Sequence, residues 1–259
     1  MSILNDLINK VVVITGGTGL IGRELCKGFL EVGSKVVFTS RTEDTGKFFE
    51  KELTSNNGHI YIKSDITNAN EVDILINTVM ETYGKIDIWI NNAFPRTNDW
   101  KTNIELVTYD SIKKNIEMQL AGYFLCSQKV SRIMKDAGSG NIINFSSVHG
   151  VVGPNFSVYE NTGMTCDPAY PLIKGGIITM TKYFATYFAK YNVRVNCICP
   201  GGIFDSQNEI FVNQYVKQVP LGRMAMANEI VGPALFLASE ISSYITGHCL
   251  MVDGGLTAW

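Results

Sequence analysis

The feature that most constrains the fold is a run of β-branched residues that leads directly into a cluster of glycines. Residues 11–14 form an apolar segment that is too short for a helix and typical of a buried parallel strand. Four glycines follow, at positions 16, 17, 19 and 22, and a helical pattern begins among them, near Leu20. Because the first N–H groups of a helix lack partners and lie at the positive end of its dipole, this turn can bind a phosphate. A plain turn is the alternative, but the flanking strand and helix favour a nucleotide site.

Length and composition favour one α/β domain over residues 1–259. The hydrophobic fraction of 46% provides for a sizeable core, and the charged fraction of 18% is too low for a disordered chain. The net charge of −2 gives no excess of basic residues for binding phosphates, so we expect no nucleic-acid partner. No apolar run reaches the length of a membrane span, and the N-terminus carries no basic-plus-apolar signal. We therefore expect a cytoplasmic protein that does not contact a membrane.

Short apolar segments alternate with helical patterns along the whole chain. Further strands are predicted at residues 35–39, 59–63, 86–90, 141–145, 192–198 and 249–252. Helical patterns of ten or more residues separate most of them, including a long one over residues 111–134. This alternation predicts an α/β fold, a Rossmann-like doubly wound parallel sheet of about seven strands with helices on both faces. Polar and glycine residues follow the carboxyl ends of the strands, where such a sheet binds its ligand.

The end of the second strand predicts which coenzyme the nucleotide site prefers. A dinucleotide fold that prefers NAD carries an acidic residue here, whereas this strand ends in Ser40 and Arg41. Arg41 could form a charge-assisted contact with a 2′-phosphate, and Ser40 could donate a second hydrogen bond. The alternative is a solvated surface arginine beside Glu43 and Asp44. We therefore expect NADP(H) to be preferred, with NAD(H) also possible.

A tyrosine and a lysine four residues apart form the candidate chemical centre. Tyr170 and Lys174 lie near the start of a predicted helix, with Asp167 as its N-cap and Pro168 at its first position. Residues at this spacing share a helix face, so both side chains can line one cleft. A nearby ammonium should lower the pKa of the phenol, which could then exchange a proton with an alcohol or ketone. A chance pair of surface residues is the alternative.

The six cysteines give no sign of a metal site. Four of them lie in apolar helix or strand patterns, where a buried free thiol is the simplest interpretation. Cys197 and Cys199 lie two residues apart on one strand, which is not the spacing of a zinc motif. We therefore expect no metal.

The motifs taken together resemble one known family over essentially the whole chain. They are the glycine turn 15–22, Asp65, Asn91-Asn92-Ala93, Ser147, the Tyr170/Lys174 pair, Pro200-Gly201 and Asp253-Gly254-Gly255. Their order and approximate spacing are those of the short-chain dehydrogenase/reductases, in the short single-domain branch. The glycine spacing itself is similar to that of the longer sugar-nucleotide branch. A sugar epimerase or dehydratase is therefore an alternative. The chain is short for that branch.

The resemblance implies cofactor roles for matching positions. The pyrophosphate would be held by the glycine turn, with Gly16, Thr18, Gly19, Leu20 and Ile21. The adenine would lie between Asp65 and Ile66, and the adenosine half of the cofactor beside Asn92 and Ala93. The nicotinamide would be bordered by Pro200, Gly201 and Ile203, and its ribose bound by Lys174.

The resemblance also implies the catalytic roles. Ser147 would hydrogen-bond the substrate oxygen while Tyr170 exchanges its proton and Lys174 tunes the phenol. A serine in a strand-end turn is the alternative for Ser147. Gln119 stands where the family commonly has an asparagine that holds a proton-relay water, and a longer amide could still do so. Phe94 replaces the glycine that usually ends the Asn-Asn-Ala-Gly motif.

The substrate side of the site carries a narrower resemblance. The segment between Ser147 and Tyr170 is longer than is common in the family, and residues 155–164 form either part of the substrate pocket or a surface loop. This segment and the sequences around several motifs look like flagellin-modification oxidoreductases of bacterial nonulosonic, legionaminic-type sugar pathways. A small polar sugar derivative would then contact Arg96, His149 and Tyr159.

Two other functions share some of these sequence features, and the helices predict an assembly state. A 3-oxoacyl-carrier-protein reductase would share fold and chemistry, but would need a basic surface for its acidic carrier, and no basic run is present. A non-catalytic nucleotide-binding regulator would have no need of Ser147, Tyr170 and Lys174 together. The apolar-rich helices at 111–134 and after Tyr170 predict a homo-oligomer, a tetramer or dimer, because closed symmetric assemblies are the norm.

Overall fold

The computed structural model describes residues 4–53 and 58–259, so residues 1–3 and 54–57 of the predicted 1–259 domain lie outside it. Seven parallel strands form one sheet in the order β3-β2-β1-β4-β5-β6-β7. Their bounds are β1 Val11–Ile14, β2 Lys35–Ser40, β3 His59–Lys63, β4 Ile88–Asn91, β5 Gly140–Phe145, β6 Val193–Pro200 and β7 Cys249–Val252. The predicted doubly wound parallel sheet is thereby confirmed.

Helices cover both faces of the sheet. They are α1 Leu20–Glu31, α2 Glu43–Glu52, α3 Ala69–Tyr83, α4 Tyr109–Ile116, α5 Gly122–Ala137, α6 Ala169–Phe188, α7 Glu209–Tyr215 and α8 Val231–Ala238. One core lies between the sheet and α1, α2 and α8, and the other lies between the sheet and α3, α5 and α6. None of the helices in the described ranges is long and apolar enough to cross a membrane.

Strand β1 shows why the strands read as continuous apolar runs. Val12 and Ile14 pack into the core under α1, whereas Val11 and Val13 pack into the opposite core under α3 and α5. Successive side chains of a strand point to opposite faces, and here helices cover both. Every position of such a strand must therefore be apolar.

Several predicted boundaries differ from the structure, among them those of the 111–134 helix, of β4 and of α6. The pattern over 111–134 is not one regular helix, because a π-helical turn, Glu117–Ala121, separates α4 from α5. Strand β4 begins at Ile88 rather than at residue 86, and the preceding Asp87 uses its carboxylate to accept the Val11 N–H at 2.8 Å. Helix α6 begins at Ala169 with Pro168 as its capping position, one residue later than predicted. Asp167 still caps the first turn, because its Oδ1 accepts the Ala169 N–H at 2.8 Å.

The sheet order places the functional edge. Strand β1 pairs with β2 on one side and with β4 on the other. The chain therefore builds the sheet in one direction from β1 to β3 and in the opposite direction from β4 onward. Thr15, at the end of β1, donates its hydroxyl to the Ile90 carbonyl at 3.2 Å and accepts the Asn92 N–H at 3.0 Å. Ligands of open α/β sheets bind in the crevice at such a point.

Candidate active site

A cavity of about 760 Å³ opens at the carboxyl ends of the strands. The residues predicted for the site that line it are Gly16, Thr18, Gly19, Leu20, Ile21, Ser40, Arg41, Ile66, Asn92, Ala93, Arg96, Ser147, His149, Tyr159, Tyr170, Lys174, Pro200, Gly201 and Ile203. The structure thus brings together side chains from six strand ends. Within the described chain, Asp65 and Gln119 are the two predicted site residues that do not line this cavity.

The glycine turn is packed too closely for side chains. Gly16 has φ +66°, and a Cβ added there would lie 2.7 Å from the Ala93 Cα. A Cβ on Gly22 would collide with the Gly16 carbonyl oxygen. The Asn92 amide donates to that same carbonyl at 3.0 Å, which fixes the turn against β4. The first turn of α1 therefore presents its N–H groups to the cavity beside bare backbone, which fits a pyrophosphate.

The far end of the cavity is bounded by the end of β2. Arg41 is exposed and lines the cavity, whereas the Ser40 hydroxyl is already engaged, accepting the Thr42 N–H at 3.2 Å and hydrogen-bonding the Thr45 hydroxyl at 3.1 Å. Glu43, a predicted competitor for Arg41, pairs with Lys47 at 2.6 Å. The guanidinium is thus the group at this end that is suited to an anion.

The neighbouring end of β3 places its two predicted residues differently. Ile66 is buried and lines the cavity, where it offers an apolar surface. The Asp65 carboxylate instead accepts the Thr67 N–H at 2.9 Å and stabilises the turn before α3. Asp65 therefore acts in this structure as a turn residue next to the cavity wall.

Ser147, Tyr170 and Lys174 meet at the centre of the cavity. Ser147 follows β5 and lines the same cavity as Tyr170, and its hydroxyl accepts the His149 N–H at 3.2 Å. The Lys174 ammonium donates to the Phe145 carbonyl at 3.0 Å and lies 5.6 Å from the centre of the Tyr170 ring. The helical spacing has therefore placed both α6 side chains beside the serine, as the sequence predicted.

The electrostatics of this centre differ from the sequence expectation. Burial raises the pKa of Tyr170 to about 12, and the hydrogen bond with Ser147 only partly opposes it. Burial also lowers the pKa of Lys174 from 10.5 to about 8. Desolvation disfavours the charged form of both groups and here outweighs the attraction between ammonium and phenolate. In the ligand-free protein the phenol is thus a proton donor at neutral pH.

Aromatic rings enclose the Tyr170 side chain. Phe94 lies 5.8 Å from it between ring centres, and Trp100 and His149 each lie 6.1 Å away, all edge to face. Phe94 and Trp100 also contact each other at 5.5 Å. Trp100 was missed from the sequence, and the only signal there was its position shortly after the Asn-Asn-Ala motif. These rings restrict water around the phenol.

The outer wall of the cavity comes from the long segment before α6 and from α7. Tyr159 and Met164 of the segment line the cavity, and the Tyr159 ring stacks on Phe211 of α7 at 5.4 Å. Tyr215 accepts the Gly202 N–H at 2.6 Å. Phe211 and Tyr215 line the cavity without any sequence signal, because only the tertiary fold places α7 there. Asp205 and Gln207, in the segment before α7, also line it.

Gln119 lies on the π-helical turn and is 1% exposed. Within the described residues, neither its amide nitrogen nor its amide oxygen has a hydrogen-bond partner. The adjacent Leu120 packs on Gly176 of α6, so the turn lies against the helix that carries Tyr170. We expect a buried amide without a protein partner to hydrogen-bond an ordered water.

Comparison with known proteins places the chain in a family. The family model described as enoyl-(acyl carrier protein) reductase matches residues 18–257. The post-translational flagellin modification protein A of Campylobacter coli is 34% identical over 96% of this chain and 98% of its own. The 3-oxoacyl-[acyl-carrier-protein] reductase of Chlamydia pneumoniae is 32% identical over 97% and 98%.

A solved structure shares the architecture as well as the sequence. The short-chain dehydrogenase of Leptospira borgpetersenii, solved with bound NAD⁺, matches 99% of this chain and 96% of its own with a TM-score of 0.88 and 34% identity. The parallel sheet of seven strands agrees with this match. The chain belongs to the short-chain dehydrogenase/reductase family and is an NAD(P)-dependent oxidoreductase.

Proposed function

We propose that the protein interconverts a secondary alcohol and a ketone on a polar, sugar-derived small molecule, with NADP(H) preferred and NAD(H) also used. The observation that carries this proposal is the grouping of Ser147, Tyr170 and Lys174 on one cavity that is large enough for a coenzyme and a small substrate. When bound, the nicotinamide supplies or accepts the hydride.

The protein's own groups handle the proton. Tyr170 gives its phenolic proton to the ketone oxygen in the reductive direction and takes it from the alcohol in the oxidative one. Ser147 lines the cavity with the phenol and offers a second hydrogen bond to the same substrate oxygen. Lys174, held by the Phe145 carbonyl, supplies positive charge beside the phenol and a contact for a ribose hydroxyl. The Phe94 and Trp100 rings limit access of water.

The coenzyme contacts follow from the lining of the cavity. The pyrophosphate would lie on the glycine turn at Gly16, Thr18, Gly19, Leu20 and Ile21. The adenosine half would lie beside Ile66, Asn92 and Ala93, with Asp65 supporting the Ile66 turn. The nicotinamide would be bordered by Pro200, Gly201 and Ile203.

The chemistry of the outer wall supports a polar substrate. Arg96, Lys101 and His149 line the cavity on the side of Tyr170, and Asp205 and Gln207 line it near α7. Cationic and amide groups of this kind suit the hydroxyl, carboxylate or phosphate groups of a sugar derivative. The similarity to flagellin modification protein A of Campylobacter coli supports the same class.

One assay tests this function. Purified protein is incubated with NADPH and separate panels of keto-sugar phosphates, nucleotide-linked keto sugars and 3-oxoacyl thioesters, and loss of NADPH absorbance is followed. We expect turnover with a sugar panel and none with protein carrying Tyr170→Phe. Turnover confined to the thioesters would instead make the protein a 3-oxoacyl reductase, and coenzyme binding without any turnover would favour the regulator.

We also propose that Gln119 positions an ordered water for the proton relay. Gln119→Leu should lower kcat about tenfold, the equivalent of roughly 1.4 kcal/mol and close to the loss of one hydrogen bond. Gln119→Asn keeps an amide and should retain most of the rate. The thermal midpoint of Gln119→Leu should not fall, because the substitution removes a buried amide that has no protein partner within the described chain. Equal kcat in all three proteins would exclude Gln119 from the relay.

We propose further that the protein assembles as a homo-oligomer, a tetramer or a dimer, through the outer faces of α5 and α6. Phe124, Tyr183 and Tyr187 are large, exposed side chains on these faces, and the two tyrosines stack at 6.4 Å. Light scattering at micromolar concentration should give a dimer or tetramer mass, and Tyr183→Asp with Tyr187→Asp should reduce it. Tyr244→Asp, at an exposed position on another surface, is the control. A monomeric parent protein would refute this assembly.

A further inference from the structure

Strands β6 and β7 bring three cysteines together behind the catalytic helix. Cys197 and Cys199 point to the same face of β6, and Cys249 pairs with Cys197 in the register of the two strands. All three Sγ atoms lie within 4.8 Å of one another, and those of Cys197 and Cys199 are 3.7 Å apart. In the sequence, Cys197 and Cys199 alone did not have the pattern of a metal motif. The fold adds a third thiol, that of Cys249.

The separation of the sulfurs fits a shared ion better than a disulfide. Zn–S bonds of about 2.3 Å place thiolates about 3.8–4.0 Å apart around one ion, so small side-chain shifts would complete the site. A disulfide needs sulfurs about 2.05 Å apart and Cβ atoms about 3.8 Å apart. All three cysteines are free in this structure, and the Sγ atoms of Cys197 and Cys199 lie 3.7 Å apart, well beyond bonding distance.

The surroundings of the three thiols suit a cation with an open coordination position. Cys197 and Cys199 are buried, whereas Cys249 lies half-buried on the edge strand and gives an ion a route from solvent. Three thiolates and a divalent ion would leave one net negative charge at the site.

We propose that Cys197, Cys199 and Cys249 form a binding site for one thiophilic divalent ion of the zinc group, with its fourth position open to solvent. Soft thiolate ligands select such ions over magnesium or calcium. The ion would join β6 to the edge strand β7 and lie between the sheet and α6. Binding displaces thiol protons to solvent, so it strengthens as pH rises.

A cadmium titration tests the site. The reduced protein is titrated with Cd²⁺ under anaerobic conditions, and the ultraviolet absorbance of thiolate-to-cadmium charge transfer is followed. We expect saturation at one ion per chain, with a Zn²⁺ competition that removes the signal. Cys249→Ser should weaken binding by about 100-fold or more, since loss of a supporting group alone costs about 10–100-fold. Its position on the sheet edge makes this variant the one that should fold normally, which circular dichroism checks.

Cys166→Ser is the matched control. Cys166 is also half-buried, but it lines the active-site cavity and lies outside the group of three thiols. This variant should bind Cd²⁺ as the parent does. Absence of charge-transfer absorbance in the parent protein would overturn the proposal, and so would equal affinity in folded Cys249→Ser. Neither result depends on the alcohol or ketone substrate, so the site can fail independently of the proposed activity.

Discussion

Replacing Tyr170 by Phe should lower kcat by about 10²–10⁴-fold, the usual contribution of a positioned general acid or base. The phenol is the group that burial keeps protonated, with a pKa of about 12, and it lines the cavity. Removing the hydroxyl deletes the proton donor but keeps the ring among Phe94 and Trp100. Coenzyme affinity should therefore stay within a few-fold of the parent value. Steady-state kinetics and a fluorescence titration with NADPH measure the two quantities.

The control for this substitution is Tyr83→Phe. Tyr83 ends α3, does not line the cavity and loses the same hydroxyl group. It should leave kcat unchanged, which separates loss of the catalytic proton from a general effect of the substitution. A Tyr170→Phe protein that keeps most of its kcat would remove this phenol from the mechanism.

Arg41→Ala should lower the preference for NADP(H) over NAD(H) by about 10- to 150-fold in kcat/KM, because a charge-assisted hydrogen bond contributes roughly 1.5–3 kcal/mol. The guanidinium lies at the end of the cavity where a 2′-phosphate would sit, and Glu43 is paired with Lys47 rather than competing for it. Ser40 adds less than the sequence suggested, because its hydroxyl already serves Thr42 and Thr45. Arg41 is exposed, so screening by salt favours the lower end of the range.

Kinetics with both coenzymes in the parent, Arg41→Ala and Lys51→Ala decide this point. Lys51 is an exposed cation on α2 that does not line the cavity, so its loss changes the net charge by the same amount. The preference should fall in Arg41→Ala alone and should weaken in the parent as ionic strength rises. If the parent uses the two coenzymes equally, the interpretation of the β2 end is wrong.

Much of the fold could be read from the sequence because its signals are local. The four apolar residues of β1 and the glycines after them are neighbours in the chain, and so are Tyr170 and Lys174 on one helix face. Strand periodicity, glycine geometry and i,i+4 spacing each depend on a few consecutive residues. Boundaries were less accurate where other elements intervene, as at β4, where the Asp87 carboxylate takes the place of a ladder contact.

Part of the site could also be predicted from the sequence, because the carboxyl ends of parallel strands meet at one edge of the sheet. That rule was enough to bring Ser147, Asn92 and Pro200 to the cavity that contains Tyr170. It did not reveal Trp100 or Phe211, whose positions depend on how loops and α7 close over that edge.

Only the tertiary structure decided the charge states at the centre and the grouping of the thiols. The sequence suggested that Lys174 would lower the pKa of Tyr170, whereas burial raises it. Desolvation depends on every atom packed around a group, and chain spacing carries no record of that packing. Cys249 joins Cys197 for a similar reason, because the register of β6 against β7 is set by side chains distributed along both strands. Local spacing therefore determined which groups occur together on one element, and long-range packing determined what those groups can do.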